Sequence, residues 1–582
     1  MNLRIAPVLL ILIGSLLLFM PFLGTVHLFD WDEINFAEAA REMVVTGNYQ
    51  LVQVDFQPFW EKPPLFIWLQ ALSMKVFGIN EWAARFPNVL AAFATFLLLY
   101  RIGTQHIAPM AGWIMVLVYA GSLTPHLYFR SGIIDPVFNL FMLLAIYQLY
   151  LSSLEANTRN NRHIHFLLAG FFTGLAVLTK GPVGLLIVGL SALVYYILER
   201  FRGFPGIAEL FSALLAFSLV VSVWFVPEWI RHGNWFMQKF IAYQLDLFKG
   251  NMEAHAQPFW YHIPVLLLGC FPASILALVN FRLDTARNRE TNLMHRWMQA
   301  VFWVVLIVFS LSKTKIVHYS SMCWFPLGFF AALTLLDVFR GKPGMRLRGI
   351  KITLLFLSLL IGLALVALPL LASNRSLQDL LLPYIRDPFA VASLSSNGGW
   401  QGWEWISGLL WLLLSCAIIL MAMFEKRRNL WLLVLPWATI LSVPLLAAFV
   451  LPPMEQQIQG NYIAALKQLN TPANYVWTDG FKSYAPYFYP GRKEAWGGGE
   501  IKQMWLDGMK KAGASDLRAL THEQSGDIEN RIRQRLQSDA PLDRMAYAFV
   551  KTGKHMGFDT CRHYRFLQPA GGYRIYYRPA GK

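Results

Sequence analysis

Ionisable side chains are scarce in this chain, and those able to do chemistry sit in a few short segments beside long apolar runs. Asp32-Glu33 opens a stretch, Glu33 to Val45, in which Ile34, Ala37, Arg41 and Val44 share one helical side and Glu38 and Glu42 another. A helix patterned in this way is expected to lie in the plane of a membrane surface. Asp32 would act there as a helix cap or as a reactive carboxylate. In Phe59-Trp60-Glu61-Lys62-Pro63-Pro64-Leu65, Pro63 forces Lys62 out of helical conformation and Pro64 fixes its own φ. Glu61 and Lys62 are therefore held on a stiff, extended backbone, as a local ion pair or for use. Three more segments follow: Arg130-Ser-Gly-Ile-Ile-Asp135-Pro136, Lys180-Gly-Pro182, and Lys313-Thr-Lys315-Ile-Val-His318-Tyr319.

Any one of these cations has a bland explanation, as a side chain snorkelling at a helix end or satisfying terminal carbonyls. Several converging on one face imply a ligand, because ionisable groups at membrane depth are costly. Lys62, Arg130, Lys180, Lys313 and Lys315 suit a phosphate. The carboxylates Asp32, Glu61 and Asp135 among them suit hydroxyls, a sugar or a divalent cation. A phosphate reached from the bilayer, beside sugar-binding carboxylates, points to a polyprenyl-phosphate sugar. No G-x-x-x-x-G-K-[ST] segment occurs, and Gly497-Gly-Gly499 is followed by no helix pattern, so no nucleotide cradle is expected.

The elements that must carry these residues follow from composition. Of 582 residues 56% are hydrophobic and 14% charged, where a soluble globular chain carries about 25% charge. The run from about Ile5 to Leu23 has no small-residue cleavage site after it and reads as a retained transmembrane helix. Further runs begin near Trp82, Ala108, Asp135, Phe166, Pro182, Ile207, Phe259, Trp297, Val317, Ile352, Trp405 and Leu430. They predict an α-helical polytopic membrane protein of about thirteen spans.

Short basic loops (Arg159/Arg162, Arg200/Arg202, Arg282/Arg287/Arg289, Arg340 to Lys351, Lys426 to Arg428) alternate with longer mixed ones, Asp30 to Glu81, Glu228 to Pro258 and Ser373 to Glu404. The positive-inside rule places the basic set in the cytoplasm and the mixed set outside. The net charge of +16 is thus an orientation signal, and no nucleic-acid partner is implied. Residues 1–452 form the expected membrane domain, with a first outer loop over 25–81. Residues 453–582, where charges and strand patterns return, form a small outward-facing α/β domain. Cys270, Cys323 and Cys416 lie in apolar segments and Cys561 stands alone, so no disulfide framework is implied. A lipid-anion transporter or flippase would show two repeated halves, and no repeat is visible.

Taken in order, Asp32-Glu-Ile-Asn-Phe-Ala-Glu-Ala-Ala-Arg-Glu-Met43, Glu61-Lys-Pro-Pro-Leu, Arg130 to Asp135-Pro, Lys180-Gly-Pro and Lys313 to Tyr319 resemble the GT-C membrane glycosyltransferases. Within them the likeness is to the bacterial aminoarabinose–lipid A transferase and protein O-mannosyltransferase-like group. The resemblance implies juxtamembrane helices, a bacterial inner-membrane location, and a site open to lipid and periplasm. It implies inverting sugar transfer from undecaprenyl phosphate to lipid A, a related envelope glycolipid, or protein Ser/Thr. Asp32 is then the catalytic carboxylate, Glu61 and Lys62 are active-site residues, and Lys180 and Tyr319 hold the donor phosphate. The family often has Arg at the position of Asn35 and Tyr at that of Phe36, so one contact is missing or supplied elsewhere. His255, in a matching outer loop, forms with Glu61 a candidate pair for a divalent metal.

Overall fold

The computed structural model describes residues 5–581 apart from 31, 60, 155–158, 250–256, 343–346, 425–429, 494–497, 514–521, 555–557 and 559–561. His255 and the basic loop Lys426 to Arg428 lie outside the described residues. Helices α1 (Ile5–Phe19), α2 (Asp32–Thr46), α3 (Leu65–Phe77), α4 (Glu81–His106), α5 (Pro109–Ala120), α6 (Leu123–Tyr128), α7 (Asp135–Ser152), α8 (Arg159–Lys180), α9 (Val183–Leu198) and α10 (Ile207–His232) build the first part. Among the described residues seven helices are long and apolar enough to cross a membrane, and five apolar helices of 10–17 residues accompany them. The chain is a multi-pass membrane protein.

Most apolar runs become helices close to where the sequence places them. The run from Phe259 divides into two short helices, His262–Gly269 and Ala273–Ala277. Pro272 between them has no N–H to continue the ladder. Burial separates centre from rim. In the segment Val317–Phe339, 94% of the apolar window is inside the protein, against 11% for Ile207–Arg231, so the first is central and the second faces lipid.

Helix α2 departs from the interfacial position its pattern suggests. All eleven residues from Glu33 to Met43 are buried. Its polar side survives burial because its charges are matched: Arg41 Nε and Nη2 each donate to Glu38 at 2.7 Å, and Glu42 accepts from the Phe56 N–H at 2.9 Å. Phe56 belongs to a small hairpin, β1 (Gln53–Val54) and β2 (Gln57–Pro58), whose turn residues Asp55 and Phe56 have φ of 53° and 58°.

Helix α2 packs on α3 and the hairpin, and the C-terminal region adds to its cover through the short helix Ala485–Phe488 and the Arg492 carbonyl, which accepts from Arg41. The four strands of that region, β3 (Asn474–Asp479), β4 (Met545–Lys551), β5 (Arg565–Ala570) and β6 (Tyr573–Arg578), run in the order β3-β4-β6-β5, with β3 parallel to β4 and the rest antiparallel. Strand alternation gives the sheet two apolar faces. Tyr475 and Trp477 pack with Ile501, Trp505 and Ile532 in a core of their own. Val476, Phe549 and Ile575 join the core that continues into the membrane part. A helix, Gly499–Lys511, does follow Gly498-Gly499, correcting the sequence reading. Its polar, Lys-rich surface obscures the apolar positions Ile501, Trp505 and Met509, which are the ones buried.

Candidate active site

Four separate segments meet at the start of α2. Glu33 fixes the position of Asp32: it accepts from Arg85 Nε at 2.7 Å, from the Gly132 N–H at 2.6 Å and from the Phe29 N–H at 2.9 Å. Arg85 in turn donates to the carbonyls of Leu23, Val26 and His27. Asn88 Nδ2 donates to the carbonyls of Ser131 and Ile133, both at 2.7 Å, and so sets the approach to Asp135 at the head of α7. Pro136 takes the first helical turn, where its missing donor is no loss.

Lys180 is the last residue of α8. The chain then reverses through Gly181, at φ 98°, into Pro182 and α9. A left-handed glycine is what lets two apolar helices join with no loop and leave the lysine at the corner. The fourth segment is a tight 3₁₀ turn, Val317–Cys323. It is tied to α7 by Asn139 Nδ2 donating to Ser321 Oγ at 2.7 Å, and Ser320 Oγ lies 3.1 Å from His262 Nδ1.

The result is a compact polar cluster. Lys180 Nζ donates to Asp135 Oδ1 at 2.5 Å and stands 4.8 Å from the centre of the Tyr319 ring. His318 Nε2 lies 3.3 Å from Asp32 Oδ2 and 3.7 Å from Asp135 Oδ2. Burial alone would raise the pKa of Asp32, but the close approach of His318 and the charges of Lys62 and Lys180 outweigh it. The Asp32 carboxyl is held well below the usual carboxylate range, while its side chain keeps 32% of its exposure. It is therefore an ionised group that a substrate can still touch. Lys62 is buried beside it, and Pro63-Pro64 leads directly into α3, as the spacing requires. The Glu61 carbonyl accepts from Gln244 Nε2 at 3.3 Å.

Asp32, Lys62, Asp135, Lys180 and Tyr319 are thus brought together, with Glu61 close enough to act on Tyr319. Arg130 is not among them: its guanidinium donates to the carbonyls of Leu18 and Pro21 at the end of α1. Lys315 Nζ donates to the carbonyls of Ser312 and Gln257, and Lys313 is exposed. Arg130 and Lys315 perform the bland role open to any cation at a helix end. His318 is the member that sequence reasoning left out of the site, although it stands in the same motif as Tyr319. No three His, Cys, Asp or Glu side chains group as metal ligands among the described residues. The Glu61–His255 pair has one member outside them.

The fold has known counterparts. Residues 61–226 match the family model described as dolichyl-phosphate-mannose-protein mannosyltransferase. The crystal structure of ArnT from Cupriavidus metallidurans bound to undecaprenyl phosphate superposes over 100% of both chains with a TM-score of 0.72 at 17% identity. This is the GT-C fold. The apo form of the same ArnT matches this GT-C chain over 99% of its length with a TM-score of 0.69 and 17% identity. Among curated relatives, the undecaprenyl phosphate-alpha-4-amino-4-deoxy-L-arabinose arabinosyl transferase 1 of Proteus mirabilis is 26% identical over 62% of this chain and 65% of its own length. The corresponding transferase of Pseudomonas aeruginosa is 28% identical over 62% of this chain and 64% of its own. The alignments thus span a little under two thirds of these relatives.

Proposed function

We propose that this chain transfers a sugar from undecaprenyl phosphate to lipid A or a related envelope glycolipid, on the periplasmic side of the bacterial inner membrane. The observation that carries the reading is the meeting of Asp32, Asp135, Lys180, His318 and Tyr319, from four chain segments, at the ends of apolar helices. The named activity of the arabinosyl transferases and the undecaprenyl phosphate bound in the ArnT structure support it. The outward orientation, and the division into a membrane domain to 452 and a C-terminal domain from 453, belong to the same proposal. A flippase is disfavoured, because the charged groups gather at helix ends and not midway along paired broken helices.

Cleaving the sugar–phosphate bond builds negative charge on the departing phosphate. Lys62 and Lys180, fixed in a water-poor pocket, stabilise that charge better than water does. Asp135 holds Lys180 in place through their ion pair. The acceptor approaches the opposite face of the anomeric carbon, so alignment supplies much of the remaining acceleration and the configuration inverts. A carboxylate held so far below neutrality is a weak base. Asp32 therefore fits an acceptor that is already ionised, such as a lipid A phosphate, and stabilises the positive charge that develops on the sugar ring. The description of the matched family favours a second reading, transfer to protein Ser/Thr, in which Asp32 would take the hydroxyl proton. Glu61 and His255 alone are too few ligands to define a metal site, and no step is routed through one.

The test is transfer in detergent with the full-length chain, an undecaprenyl-phosphate sugar and lipid A, read by mass spectrometry. The unaltered chain is expected to add one sugar mass to lipid A. Asp32→Asn is expected to lower transfer by about 10³-fold or more while melting like the parent. Unmodified lipid A beside a glycosylated protein acceptor would move the conclusion to the second reading.

A further inference from the structure

Helix α9 leaves the site at Lys180-Gly-Pro182, and its far end, at Leu198, carries a second cluster of cations. The cavity there, about 360 Å³, is lined by Leu198, Glu199, Arg200 and Arg202 on one side and by Arg296 and Gln299 of the helix Arg289–Leu311 on the other. Arg296 and Gln299 lie about two and three turns into that helix, so the cavity runs down between the helices from the turn after α9. Tyr195 stacks on Trp297 with ring centres 4.1 Å apart and fixes the two helices against each other. Arg296 Nη1 donates to Glu199 Oε1 at 2.6 Å and to the Leu198 carbonyl at 3.4 Å.

Arg200 and Arg202 are exposed, and neither guanidinium makes a hydrogen bond or ion pair among the described residues. The bland role of a cation at a helix end is already filled here. The carbonyls of Tyr195, Tyr196, Ile197 and Glu199 accept from the N–H groups of Glu199, Phe201, Arg200 and Arg202, and that of Leu198 takes Arg296. Arg130 and Lys315, by contrast, act on carbonyls, and Arg287 and Lys342 on Asp337 and Asp284. Three guanidiniums thus face one carboxylate in a concave site. The turn holding them takes Arg200 and Phe201 through φ of 55° and 59°, which side-chain-bearing residues seldom adopt.

A guanidinium fork matches the oxygens of a phosphate, and a basic pocket between membrane helices suits the headgroup of a lipid. Leu193, Ile197, Leu198 and Phe201, each about half exposed, offer an apolar track beside the cavity that a free phosphate would not use. We propose that this cavity binds the phosphodiester headgroup of an anionic phospholipid, whose acyl chains lie along the exposed apolar residues of α9. In the orientation proposed above, that lipid belongs to the cytoplasmic leaflet. The site is separate from the Asp32 cluster and stands whether or not the chain transfers a sugar.

The experiment is native mass spectrometry of the full-length chain in detergent, titrated with dioleoyl phosphatidylglycerol and, as the neutral lipid, dioleoyl phosphatidylcholine. The parent is expected to hold the first phosphatidylglycerol roughly tenfold more tightly than phosphatidylcholine. Arg200→Gln/Arg202→Gln removes two exposed cations, so melting is expected to match the parent while the preference falls to within about twofold. Arg340→Gln/Arg348→Gln takes the same charge from exposed positions outside the cavity and should keep the preference. An undiminished preference, or a lowered melting temperature, in the first variant would overturn the proposal. Equal loss in both variants would overturn it as well, since that is the mark of general surface charge. Glycerol phosphate displacing the lipid at equal concentration would do the same, by making the cavity a site for free phosphates.

Discussion

At the scale of residues, the site is a balance between one ionised carboxylate and the cations that keep it so. Asp32 is buried enough that, alone, it would protonate more easily than a free aspartate; His318, Lys62 and Lys180 reverse the sign. Replacing His318 by Asn removes the imidazole that stands 3.3 Å from Asp32 and helps to lower its pKa, so the Asp32 pKa rises. Activity that needs the carboxylate ionised is then lost at a higher pH as the solution is acidified. The expected outcome is an upward displacement of the Asp32 titration by about one pH unit in His318→Asn, read from the Asp32 carboxyl carbon-13 shift as the pH is lowered from about 6. A titration that stays in place would show that His318 does not tune Asp32. Lys180, Asp135 and Lys62 were legible in the sequence because glycine or proline fixes the backbone beside each of them. Arg130 and Lys315 were not separable from them, since the carbonyls they satisfy, such as those of Leu18, Pro21 and Gln257, become neighbours only on folding.

At the scale of elements, α2 shows what a period of 3.6 residues conveys and what it omits. The helix was legible, but its surroundings were not, because a polar face matched by internal ion pairs looks in sequence like a polar face in water. Strand β5 was hidden for a related reason: it is exposed over its first five residues, contains Pro569 and sits at a sheet edge, so it has little alternation to read. The cost of burying α2 is visible at Glu42. Burial, with Glu38 next to it, pushes the Glu42 carboxyl up to about 10 from 4.5. The folded state therefore holds a proton that the unfolded chain releases above pH 4.5. Its stabilising effect is complete below that value and declines as pH rises toward 10. Glu42→Gln keeps the shape and discards the titration. Its melting temperature is expected to fall less between pH 6 and 9 than that of the parent, and equal slopes would refute a protonated Glu42.

At the scale of the whole molecule, the two ends of one buried segment carry the proposed outward orientation of the site. The segment Val317–Phe339 has 23 residues, the 3₁₀ turn followed by the α-helix Trp324–Phe339, about 38 Å in all at roughly 2.0 and 1.5 Å per residue, enough to cross the hydrocarbon core. The site residues His318 and Tyr319 lie at its first turn, with exposed Lys313 just before. At the other end, Lys342 pairs with Asp284 at 2.6 Å and Arg287 with Asp337 at 2.5 Å, amid the basic residues Arg282, Arg289 and Arg340. Those carboxylates offset only part of the positive charge, and a surplus of Lys and Arg marks the cytoplasmic face. In a background with the native thiols replaced, Lys313→Cys is expected to react with a membrane-impermeant maleimide in intact spheroplasts. Lys342→Cys is expected to react only after permeabilisation. The opposite pattern would turn the site toward the cytoplasm, where a lipid-linked sugar donor presented in the periplasm could not reach it.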